Sequence, residues 1–129
     1  MQNIKGFNTK PYMTIGIIVV NIIVFVLTSI SGSTLDAQYM ADHGAMYPEY
    51  IKDGQYWRLF TSMFMHFGLM HILNNMVVLG AVGQIVEKAM GHVKLLITFL
   101  VSGMCGSVLS YIVMLYNNDF AVSAGYLVW

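Results

Sequence analysis

Three long apolar stretches limit what this chain can fold into. Residues 13–30, "MTIGIIVVNIIVFVLTSI", run without a charge, and Asn21 is their one strong polar interruption. Residues 66–85 form a second stretch, and residues 95–116, "LLITFLVSGMCGSVLSYIVMLY", a third. A helix needs roughly 20 apolar residues to cross about 30 Å of hydrocarbon. Only 9% of the 129 residues are charged and 57% are hydrophobic, against about 25% charged in ordinary soluble domains. So few charges cannot cover a water-soluble globule of this size. The fold class expected is an all-α membrane protein, a polytopic helix bundle with three full transmembrane helices and the start of a fourth. Eleven Met and twelve Gly suit closely packed membrane helices. A formal net charge of zero gives no argument for a nucleic-acid partner. The single Cys105 cannot form an internal disulfide. A cleaved signal peptide is the alternative for the first stretch, since "SISGS" follows it, but signal cores are usually shorter, about 7–15 residues.

The division expected is a tail at 1–12, span one at 13–30, an outer loop at 31–65, span two at 66–85, span three at 95–116 and the start of span four at 120–129. Residues 86–94, "VEKAMGHVK", read as a short charged turn with Gly91 as the helix stop. "YWRLF", residues 56–60, mixes aromatics with one Arg and suits a membrane–water interface. In span three, Ser102, Gly106 and Ser110 recur every four residues, a row that lets another helix approach closely. Lys5 and Lys10 in the tail, and Lys88 and Lys94 in the turn, place both segments in the cytoplasm. The 31–60 loop then faces outside.

Span two poses the chemical problem. "FMHFGLMHILNN" sets His66, His71, Asn74 and Asn75 within an apolar segment. His71 and Asn75, four apart, share a helix face, whereas Asn74 is turned away by about 100°. An unpartnered amide in hydrocarbon costs about 4–8 kcal/mol, and one interhelical hydrogen bond returns only about 0.6–2 kcal/mol. Such a cluster needs partners or a wet cavity, and an intramembrane ionisable group is a functional-site hypothesis. Three readings stand from spacing alone. The residues are hydrogen-bonding glue or partly solvated; they ligate a metal or haem; or His71 and Asn75 present N–H donors to a developing oxyanion. Metal is the weakest on spacing, because His66 and His71 are five apart and no carboxylate adjoins them. His43 and His92 read as solvated loop residues.

Four motifs, in order, resemble the rhomboid intramembrane serine proteases. "YWRLF" resembles that family's Trp-Arg motif, at Trp57 and Arg58. "HFGLMHILNN" resembles its second-span signature, with His66, His71 and Asn75. "GQIVEKAMG" resembles its Gly-xxx-Glu-xxx-Gly segment, at Gly83, Glu87 and Gly91. "VSAG", ending at Gly125, resembles the run into the catalytic serine. The resemblance implies a six-span bundle with a water-filled cavity open to the outer side, a serine nucleophile on span four and a histidine base on span six. It also implies that His71 and Asn75 line the oxyanion hole, and that Arg58 and Glu87 anchor the loop and the helix end. Substrates would be the transmembrane helices of single-span membrane proteins, cut near the outer surface, and no cofactor or metal is implied. The setting implied is the lipid bilayer of a bacterial plasma membrane, with the N-terminus cytoplasmic.

One departure is clear. The family's fourth-span motif is Gly-x-Ser-Gly, and here Leu127 occupies the nucleophile position and Val128 that of the second glycine. Ser123 lies about a turn away and has no assigned base. The expectation is therefore a chain that does not cleave peptides as written, its "YLVW" ending suggesting a frameshift or a fragment. The alternatives are a non-catalytic protein that binds client transmembrane helices, or a non-functional truncated fragment.

Overall fold

A computed structural model describes residues 10–118 and 121–123. Three long helices carry it: α1 (Tyr12–Ser31), α5 (Gly68–Met90) and α6 (His92–Asn117). Each is long and apolar enough to cross a membrane, and no more than 22% of any apolar window is buried inside the chain. Ile15, Val19, Leu27, Val77, Ile85, Val101 and Leu109 all point outward. Water would penalise a continuous apolar surface of that extent, so its natural surroundings are lipid tails.

Local chemistry explains the elements. Asn21 does not break α1, because its amide donates to the Ile17 carbonyl one turn back (2.8 Å) and the side chain is buried. Gly91 ends α5 with φ of +94°, a left-handed conformation that costs a glycine nothing. Its N–H donates to the Glu87 carbonyl at 2.8 Å, and α6 begins at the next residue. The charged segment read from sequence as a turn over 86–94 is thus helical except at this one residue. Charge did not stop the helices there, because Lys88 is solvent-facing and Glu87 is satisfied internally.

α1 packs chiefly on α5, and both touch α6. The helices α1 and α5 approach closely at Gly83, where a Cβ would lie 2.9 Å from the Thr14 methyl. Ile17, Met63, Ile72, Met76, Leu79, Leu95 and Phe99 form the main apolar core. On α6 the buried positions are Leu95, Phe99, Gly103 and Ser107, one every fourth residue. The small-residue row at Ser102, Gly106 and Ser110 therefore falls on the adjacent face, with Ser102 exposed. The close approach occurs instead at Gly103, where a Cβ would collide with Met63.

The segment between α1 and α5 is structured. Asp36 caps α2 (Ala37–Asp42) by accepting the Tyr39 N–H at 2.8 Å. Pro48 opens α3 (Pro48–Lys52), and α4 (Arg58–Thr61) runs into a 3₁₀ turn, Ser62–Phe64. Met63 on that turn reaches the main core, which ties the connection into the bundle. Met46 pairs with Ser123 beyond α6 in an isolated antiparallel bridge, with both backbone bonds at 2.9 Å.

Candidate functional site

The polar groups of the sequence sort into three places. At the start of α5, His66 is 1% exposed and packs edge-on against His71, ring centroids 5.1 Å apart. Among the described residues, neither His66 ring nitrogen meets hydrogen-bond geometry with a protein partner. His66 precedes α5, and burial pushes its imidazole down to about 4, with the nearby His71 acting in the same direction. It is therefore neutral at neutral pH.

His71 is oriented by the backbone. The Phe67 N–H donates to its Nδ1 at 3.2 Å. Phe67 is the N-cap of α5, so this bond also satisfies a donor that the helix start leaves open. A nitrogen that accepts carries no proton, so the neutral ring holds its hydrogen on Nε2. His71 thus carries its N–H on the far side of its ring, away from the Phe67 amide. Asn75 follows one turn along the helix and is 1% exposed. Among the described residues, no group of three or more His, Cys, Asp or Glu side chains is arranged to hold a metal ion.

The second place is the connection before α5. Arg58 is 5% exposed. Its guanidinium donates to the carbonyls of Ala41 and Ala45, the latter at 3.0 Å, and its Nε to Gln55 Oε1 at 2.8 Å. The rings of Tyr50 and Trp57 lie 4.5 and 4.7 Å from the guanidinium carbon. A planar group with five donors suits this role, because it bonds several carbonyls while stacking on aromatic faces.

The third place is the far end of α5, twelve residues and about 18 Å from Asn75. Glu87 is fully buried. Its carboxylate accepts the Met13 N–H (2.6 Å), the Thr14 N–H (2.9 Å) and the Thr14 hydroxyl (2.6 Å). Those amides belong to the first turn of α1, whose donors have no partner within their own helix. Glu87 also contacts His92 Nδ1. This corrects the reading of His92 as a loop residue: its side chain stays 42% exposed, but it opens α6 and leans across Gly91 onto the carboxylate. Gly83 stands one turn before Glu87, against Thr14.

The structure thus gathers His66, His71 and Asn75 at one end of α5, and Gly83, Glu87 and Gly91 at the other. Trp57 and Arg58 sit together in the connection. Gly125 and Leu127 lie outside the described residues. Sequence reasoning missed Thr14 and His92 as partners of Glu87, and Met63 as the side chain seated on Gly103. A threonine in the first turn of a span, opposite a lone glutamate at the end of another, was the available signal.

Comparison with known proteins places the chain among rhomboid relatives. Residues 53–127 match the rhomboid domain. The chain is 32% identical over 117 residues to the rhomboid protease GluP of Bacillus subtilis, covering 91% of this chain and 23% of the relative. It is 37% identical over 92 residues to the rhomboid protease GlpG of Pectobacterium atrosepticum, covering 71% and 32%. Against RHOMBOID-like protein 7 of Arabidopsis thaliana, identity is 42% over 71 residues, covering 55% and 21%. The chain therefore spans about a third or less of the length of these curated relatives. No solved structure matches at the same stringency.

Proposed function

This chain belongs to the rhomboid family of integral membrane proteins, and from that premise we propose that it carries the oxyanion-stabilising part of an intramembrane serine endopeptidase site. In this reading His71 donates from Nε2, and Asn75 donates from its amide, to the carbonyl oxygen of a transmembrane substrate as negative charge develops. The observation that supports it is the Phe67 N–H to His71 Nδ1 bond. It fixes the ring so that its remaining proton is aimed away from the backbone before any substrate arrives. Donors held in place in advance cost no reorganisation during reaction, and losing one typically costs about 10²–10³ in turnover. His66, neutral and packed on His71, keeps the ring upright without competing for the oxyanion. Arg58 and Glu87 act at a distance, the first by shaping the connection and the second by fastening α1 to α5. The site opens toward the outer face of a bacterial plasma membrane, with the N-terminus cytoplasmic.

The nucleophile position falls on Leu127, which has no nucleophilic atom. That residue favours a second reading, in which the chain holds client transmembrane helices without cutting them. One experiment separates the two. Residues 1–125 are joined to the fourth-to-sixth-span region of an active family member, and cleavage of a model single-span substrate is measured. Cleavage that falls at least 100-fold in His71→Ala or Asn75→Ala supports the oxyanion role. A change of less than threefold in both refutes it.

A further inference from the structure

The three long helices meet at Glu87. Its carboxylate accepts from Met13 and Thr14 at the start of α1 and contacts His92 at the start of α6. The Tyr12 ring lies 6.0 Å from that of His92. Three lysines flank this junction. Lys10 stands two residues before α1, Lys88 follows Glu87 near the end of α5, and Lys94 is in the first turn of α6. All three are exposed, and among the described residues none of them is in an ion pair. Residues 10–35 and 68–117 hold one acidic side chain, Glu87. It is fully buried, with its oxygens turned to the donors just named. The acidic side chains of the connection, Asp36, Asp42, Glu49 and Asp53, stand at the opposite ends of α1 and α5.

The surface at this junction is therefore basic, with no exposed carboxylate to offset it. It is also bordered by apolar side chains. Tyr12 and Ile15 on α1, Ile85 and Met90 on α5, and Val93 and Ile97 on α6 are all exposed. An anion that carries its own hydrocarbon matches both parts, whereas free phosphate matches only the charge. A lysine stem lies readily along apolar surface while its ammonium reaches a headgroup. We propose that this junction binds anionic phospholipid, its headgroup phosphate met by the ammonium groups of Lys10, Lys88 and Lys94 and its acyl chains against the apolar sides of the helices. A zwitterionic headgroup carries its own cation beside the phosphate and gains less from three lysines. The surface lies at the other end of α5 from His71 and Asn75, and its lipid binding does not depend on their role.

The test uses the full chain reconstituted in nanodiscs with equal amounts of phosphatidylglycerol, phosphatidylethanolamine and phosphatidylcholine of identical acyl chains. Lipid retained on the ejected protein is quantified by native mass spectrometry. Phosphatidylglycerol is expected to be retained at least about tenfold over both zwitterionic lipids, since one lysine near an anionic surface contributes about fivefold. Lys10→Gln, Lys88→Gln and Lys94→Gln, all at exposed positions, are each expected to lower that preference about two- to fivefold, and the triple substitution to abolish it. Lys52→Gln, on the connection, should leave the preference unchanged, and excess inorganic phosphate should not displace the lipid. Equal retention of the three lipids, a preference that survives the triple substitution, a loss of the same size in Lys52→Gln, or displacement by phosphate overturns the proposal.

Discussion

Replacing Glu87 with Ala should loosen α1 from the rest of the bundle. The carboxylate holds two Thr14 donors that are themselves buried, at 2.9 and 2.6 Å, and the partly buried Met13 N–H at 2.6 Å. Hydrogen bonds to a charged group contribute about 1.5–3 kcal/mol each. The Met13 amide can recover a partner from solvent, so only the Thr14 pair counts in full, about 3 kcal/mol at the lower figure. Loss of the negative charge from the N-terminus of α1 adds about 0.5–1 kcal/mol. The expected destabilisation is therefore about 3–4 kcal/mol, within the range for removing one partner of a buried charged network. Glu87→Gln should cost less, about 1–2 kcal/mol. Its amide oxygen can still serve Thr14, but its NH₂ would then face the Met13 N–H, donor against donor. Reversible unfolding in mixed micelles, followed by circular dichroism, measures both. A double-mutant cycle with Thr14→Val isolates the hydroxyl contact and should give a coupling of about 1 kcal/mol. A Glu87→Ala cost below about 1 kcal/mol, or a cycle with no coupling, refutes the account of Glu87 as the clasp of α1.

Two further outcomes follow from the packing and the buried imidazole. His66 binds a proton less readily folded than unfolded, so stability should be full above about pH 6.5 and decline as pH falls toward 4, by about 3 kcal/mol in all; His66→Gln should flatten that decline in an unfolding series across the same window. Gly103→Leu should destabilise by about 1–3 kcal/mol through collision with Met63, and Met63→Ala in the same chain should recover much of the loss in the same melting assay.

The parts of the fold legible in the sequence are those set by short-range pattern. Three uncharged runs of helix-spanning length announce α1, α5 and α6 because lipid tolerates few polar groups. Gly91 announces the break between two of them because it is the one residue nearby suited to a positive φ. His71 and Asn75 announce a shared face by a spacing of four. What stayed hidden depends on contacts between distant residues. Glu87 meets Thr14 across 73 positions, and no local pattern shows a carboxylate capping another helix. The contact of His92 with Glu87 was missed because a histidine among charged residues reads only as water-facing; it is still partly exposed, and the single-residue break at Gly91 brings it onto Glu87. The small-residue row was one step out of phase. Either face of α6 could receive a neighbour by composition, and only Met63, from a segment forty residues earlier in the chain, selects Gly103.

The bridge between Met46 and Ser123 is made by main-chain atoms alone. The pairing itself therefore does not depend on which side chains stand at these two positions. A proline at either position would remove one of the two bonds. The acidic, aromatic-rich connection thereby holds the backbone at residue 123 through main-chain bonds.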